Sequence, residues 1–175
     1  LLSIPFQSIF GLVFSYNLMV LFSFVVGGYG AYLLTHYLTG HRGAAFVAGM
    51  IFTLSPDHLA HTLGHLNQIA LEWIPFYVLF LLRALRGRGY RDALLASLFL
   101  LLTALNCRYY LLFLLLFTGL ALAYHLVQAR SLRGRQELLV KAFVIGMTFF
   151  VAYCTNVLPT ISEARRARQA KQQSY

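Results

Sequence analysis

The chain has 175 residues, of which 59 % are hydrophobic and only 11 % charged. A water-soluble domain carries roughly a quarter charged residues, so this chain has too little polar surface to cover itself and reads as a membrane protein. Its net charge of +9 stands in short knots between apolar runs, with no recognition motif or polar helix to present it, which sets nucleic acid aside as a partner.

The chain begins with Leu1 rather than Met and enters apolar residues at once, so further residues are expected upstream. It has neither a basic leader nor a small-residue cleavage site, and its start does not read as a signal peptide. Leu1 to Gln7 contains Pro5 and reads as an interfacial approach to the membrane. Residues 8–39 hold Asn17 and His36 as their strongly polar side chains and are long enough for one tilted crossing. Asn17 is expected to hydrogen-bond a neighbouring helix, because an unpaired amide in lipid costs several kcal/mol, roughly. Gly27, Gly28, Gly30 and Ala31 strip bulk from one stretch, which suits close helix packing or, alternatively, a ligand or lipid groove.

After a turn at 40–43, the apolar run Ala44 to Leu54 covers only about 18 Å of a hydrocarbon core about 30 Å thick. It cannot cross alone. Either the helix continues past Ser55 as a protein-lined crossing, or the Ser55-Pro56 pair breaks it partway, facing a cavity. The apolar pattern resumes over 69–85, with Trp73 as an interfacial anchor and Pro75 as an early-turn or kink residue. Residues 93–127 are too long for one crossing and suit two short ones, 93–105 and 109–127, joined tightly at Asn106-Cys107-Arg108. A last apolar run, 138–158, precedes a basic polar tail over 159–175. The expected fold is an all-α, polytopic transmembrane helical bundle, incomplete as given, with about five to six membrane segments inside 1–158, the short one at 43–54.

The basic knots orient these segments. Arg83, Arg86, Arg88 and Arg91 form one knot and Arg130, Arg133, Arg135 and Lys141 another, and both read as cytoplasmic loops against an anionic leaflet. Arg42 then falls inside as well, while Ser55 to Gln68 and Asn106 to Arg108 lie outside. The tail disagrees: Arg165, Arg166, Arg168 and Lys171 land outside, against the positive-inside tendency. Cys107 and Cys154 sit in or beside apolar runs and read as packing residues.

Chemistry concentrates in Ser55 to Trp73, which carries three of the six histidines and two of the five acidic residues. If Ser55 caps a helix, His58, His61 and His65 share roughly one face. No His-Glu-x-x-His motif is present, which argues against metal-assisted hydrolysis. The stripe can pack a helix face, bind an anionic or sugar-bearing substrate, or share in a divalent metal site, with His61 and His65 as metal candidates. Asn67 and Gln68 extend it with amides suited to sugar hydroxyls or to solvation. Asp57 suits a helix cap as well as catalysis, and Glu72, beside Trp73 at the membrane boundary, is an acid that must be paired or wet. Arg108, with Tyr109 and Tyr110, can clamp a phosphate or simply snorkel at a hairpin tip.

Taken together, Tyr16-Asn17, Gly27 to Tyr32, Ala44 to Gly49, Phe52 to Pro56, Gly64 to Asn67 and Trp73-Ile74-Pro75 resemble bacterial polytopic membrane proteins of the GT-C glycosyltransferase superfamily, including its YfhO-like branch. The resemblance runs over roughly residues 8–130 and specifies neither donor nor acceptor. It implies a bundle that is GT-C-like in outline and a multi-pass enzyme of the bacterial cytoplasmic membrane that moves a sugar from a polyprenyl-phosphate donor on the extracytoplasmic face, with membrane lipid around it and a divalent ion such as Mg or Mn as a possible cofactor. It also implies that the catalytic aspartate precedes Leu1, leaving Asp57 and Glu72 as weak catalytic candidates. His58, His61, His65, Asn67, Gln68, Arg108 and Tyr109 would then bind substrate, with charge stabilisation at the leaving phosphate falling to Arg108 and the histidines. The rival readings are a transporter or flippase subunit built on the break after Leu54, and a membrane scaffold with no site.

Overall fold

The computed structural model describes residues 11–56, 59, 71–87, 89–128, 134, 136–151 and 153–154. Among the described residues the structure is all α, with no strand. Five helices can be bounded: α1 (Leu12–Thr39), α2 (Arg42–Thr53), α3 (Trp73–Arg86), α4 (Arg91–Asn106) and α5 (Arg108–Gln128). Residues 136–151 are helical as well.

Glycine and histidine turn the chain between α1 and α2. Gly40 takes a left-handed φ of 70°, and its N–H closes on the His36 carbonyl at 2.8 Å, which ends α1 where a side chain would be strained. His41 then caps α2, its Nδ1 accepting from the Ala44 N–H at 3.1 Å. The two helices run back to back because small residues face each other. A Cβ on Gly49 would lie 2.9 Å from the Gly28 carbonyl oxygen, so the backbones are already in contact. Thr53 locks the far end of α2, donating to the Phe24 carbonyl at 3.3 Å.

α3 is the hub. It runs parallel to α1: Glu72 meets Ser23, Pro75 and Phe76 close over Gly30, and Arg86 lies over the Tyr37 ring at 5.8 Å. Its other sides receive α4 and α5. Trp73, Phe76 and Phe80, at helical spacing, all stack against Phe99 of α4, with centroids 5.2–6.0 Å away. Ala84, Ala93 and Ala96 are buried where α3 and α4 pack, small enough to let the axes close. Tyr77, fully buried, hydrogen-bonds Thr118 of α5 through its hydroxyl. The core therefore gathers Tyr77, Leu81, Leu85, Leu100 and Leu114, with Leu138 and Ile145 arriving from 136–151.

A single residue, Cys107, joins α4 to α5. Its backbone is extended and its N–H still bonds the Thr103 carbonyl at 2.8 Å, so the chain turns without a loop.

The resulting order puts one set of helix ends together. Thr39 to Arg42, Arg86 and Gly87, Arg91, Gln128, and Glu137 to Lys141 lie at one end. The start of α1, the facing ends of α2 and α3, and the Asn106–Arg108 junction lie towards the other. α2 and α3 do not reach as far as α1 there: Thr53 and Glu72 meet Phe24 and Ser23, so about 17 Å of α1 continues beyond them.

Asn17 is the expectation that the structure corrects. It lies exposed on this part of α1, and among the described residues no other helix meets it. The physical reason is geometric: α2 and α3 stop at the level of residues 23–24, so neither offers a partner at residue 17.

Candidate functional site

Of the residues singled out by sequence, Asp57, His58, His61, His65, Asn67 and Gln68 lie outside the described residues. Glu72, Arg108 and Tyr109 are described, and they stand in different surroundings.

Glu72 directly precedes α3 in helical backbone conformation and does not cap the helix with its side chain. The carboxylate turns instead towards α1 and is 5 % exposed. Its Oε2 accepts from the Ser23 hydroxyl at 2.9 Å, and Ser23 is itself buried. Gly27 lies at this contact: a Cβ there would touch the Glu72 backbone at an ordinary 3.5 Å and press on the Phe52 ring at 3.1 Å. A carboxylate removed from water is tolerated only when hydrogen-bonded, and Ser23 supplies one such bond.

Aromatic rings pack on the residue that follows this acid: Trp73 lies between Phe22 at 5.9 Å and Phe99 at 6.0 Å. Its indole Nε1 is buried without a hydrogen-bond partner among the described residues. The carboxylate lies beside Ser23, close to the middle of the 28-residue α1 and well away from its ends. Chemically, it can accept or hold a proton and ties α1 to α3.

Arg108 and Tyr109 begin α5 and are both exposed, Tyr109 to 74 %. An arginine in the first turn faces the positive end of the helix dipole, so its charge is best met by an anion from outside the helix. The fold brings these two residues to the same end of the bundle as Glu72, because α4 runs antiparallel to α3 and Cys107 reverses the chain at its tip. The arrangement leaves Glu72 enclosed and Arg108 open.

Among the described residues no group of three or more His, Cys, Asp or Glu side chains converges to hold a metal ion. Glu72 has a hydroxyl beside it rather than a second carboxylate or an imidazole, so the described donor set does not fit a divalent cation. His61 and His65, the metal candidates from sequence, lie outside the described residues.

Ser23 escapes a reading by sequence because it is 49 residues from its partner. A signal exists nonetheless: Ser15, Ser23, Gly27 and Gly30 are small, fall near one face of α1 and are all buried.

Two helices, α1 and α5, are long and apolar enough to cross a membrane, with mean hydropathies of 1.8 and 2.0. Comparison with family models, curated proteins and solved structures finds no match to the chain.

Proposed function

We propose that the chain is a multi-pass helical part of a bacterial cytoplasmic-membrane protein, with its basic end in the cytoplasm. The end that carries Arg108 and Tyr109 then contributes to sugar transfer from a polyprenyl-phosphate donor on the outer face. One observation carries the membrane reading: α5 is apolar along its length yet buries only Leu114, and Leu112, Phe113, Leu116 and Leu120 stand open. A helix that is hydrophobic all round belongs either in a large protein core or in lipid, and lipid is the surrounding that this bundle's outer face fits.

The sugar-transfer reading is supported by the sequence resemblance and by the character of the outer end. Arg108 with Tyr109 suits a phosphate leaving group. The histidine and amide stripe of His58, His61, His65, Asn67 and Gln68 follows α2 in sequence and adds donors suited to the same substrate. Glu72 supports this end by holding α3 to α1, and Asp57 remains the other acid candidate. The described donors do not fit a divalent ion, and no step of the proposal is routed through one.

Two measurements test this. In intact cells, a membrane-impermeant maleimide should label Tyr109→Cys and leave Gly89→Cys unlabelled. In membranes holding the complete protein, Arg108→Ala or His65→Ala should lower sugar transfer from a polyprenyl-phosphate donor about tenfold, the scale of one lost charge-assisted contact, with insertion unchanged. Wild-type rates in both variants would sink the transfer reading while leaving the topology standing. Substrate translocation without transfer would replace it with the transporter reading, which the stop of α2 partway along α1 also fits.

A further inference from the structure

At the basic end, α3, α5 and 136–151 enclose a cavity of about 310 Å³ whose lining includes Arg86, Gly87, His125, Gln128, Glu137 and Lys141. We propose that this cavity binds the phosphate of an anionic phospholipid headgroup.

Lys141 is the reason. Only 3 % of it is exposed, and its ammonium donates to the Gly87 carbonyl, its one hydrogen-bond partner among the described residues. An ammonium has three N–H groups, so two remain to be satisfied at the cavity. A carbonyl dipole alone is poor compensation for a buried charge, and a phosphate oxygen supplies both the acceptor and the opposite charge. Arg86, at the exposed end of α3, is held over Tyr37 and can offer its planar fork to a second phosphate oxygen. Gln128 spends one amide N–H on the Tyr124 hydroxyl at 2.8 Å and keeps the other. Glu137 is exposed on the lining, so two permanent cations face one carboxylate.

The position favours a lipid over free phosphate. Leu116, Leu120, Tyr124 and Val127 of α5 are all exposed and form one stripe running towards the cavity. Acyl chains can lie along that stripe while the headgroup reaches the cations, and Arg91 begins α4 at the same end of the bundle. The inference rests on α5 lying in the membrane and does not depend on sugar transfer.

The test is lipid retention by the full chain in detergent micelles, read by native mass spectrometry with phosphatidylglycerol or phosphatidylcholine added. Phosphatidylglycerol should be retained about fivefold better, the scale of one cation at an anionic surface. Arg86→Gln should remove most of that preference, and Glu137→Gln should increase it. Lys141→Gln should act as Arg86→Gln does, but Lys141 is buried, so the decision rests on exposed Arg86, with helicity checked by circular dichroism. Equal retention of the two lipids, or an unchanged preference in Arg86→Gln, overturns the proposal. So does inorganic phosphate raising the Tm as far as phosphatidylglycerol does, since that outcome identifies a free-phosphate site. Loss of sugar transfer in the outer-end variants with lipid preference intact keeps the two proposals separate.

Discussion

Glu72 and Lys141 are both buried charged residues, and they sit at opposite ends of α3. Glu72 meets a hydroxyl from α1 and is almost wholly shielded from solvent. Lys141 meets a carbonyl at the end of α3 and opens onto a polar cavity. The comparison separates two uses of a buried charge. An enclosed charge with an internal partner holds helices in register, whereas a buried charge with spare donors at a cavity has capacity for a ligand. Burial alone does not mark a binding site. What the remaining lone pairs or N–H groups face decides it.

The largest effect should come from forcing the enclosed side apart. Gly27→Leu places a side chain where Phe52 and the Glu72 backbone already stand, and should destabilise the bundle by about 3 kcal/mol. Denaturant titration in micelles, followed by circular dichroism, measures it; an unchanged midpoint would show that Glu72 is not held by close packing of α1 on α3.

A smaller effect should follow from removing only the internal partner. Ser23→Ala takes a donor from a buried carboxylate and should cost about 2 kcal/mol. Adding Glu72→Gln to Ser23→Ala should recover part of that loss, because an amide is less costly to bury than an unpaired carboxylate. No recovery would mean that the pair does not act as a unit.

The least should come from the exposed charges at the basic end. Arg83 and Asp92 approach to 3.4 Å with partly exposed side chains, and Arg83→Ala should cost less than about 1 kcal/mol, falling further with added salt. A cost as large as that of Ser23→Ala would erase the distinction between enclosed and open charges on which the comparison stands.

How much of this was legible beforehand differs by feature. The glycine run 27–30 reads as a close-packing surface, and Gly28 against Gly49 is such a contact, because absent side chains have one structural consequence in a helix. The brief junction at Asn106-Cys107-Arg108 is legible because 35 successive residues, 93–127, exceed one crossing. Trp73 is different. Tryptophan is common at membrane interfaces, but here Phe99 and Phe22 arrive from two other helices to pack it. Lys141 likewise reads as one more residue of a basic knot, although the fold buries it against Gly87.

By itself, the sequence determined the composition of the bundle: apolar helices, the turn at Gly40, small faces on α1 and α2, and positive charge gathered into knots between apolar runs. These follow from local propensity, from periodicity and from the scarcity of polar groups, all of which act within a few turns of chain. Tertiary structure alone decided which charges are enclosed and which are open. Ser23 and Glu72 are 49 residues apart, and Gly87 and Lys141 are 54 apart. Nothing in local spacing links either pair, because each exists only where separate helices pack against α3.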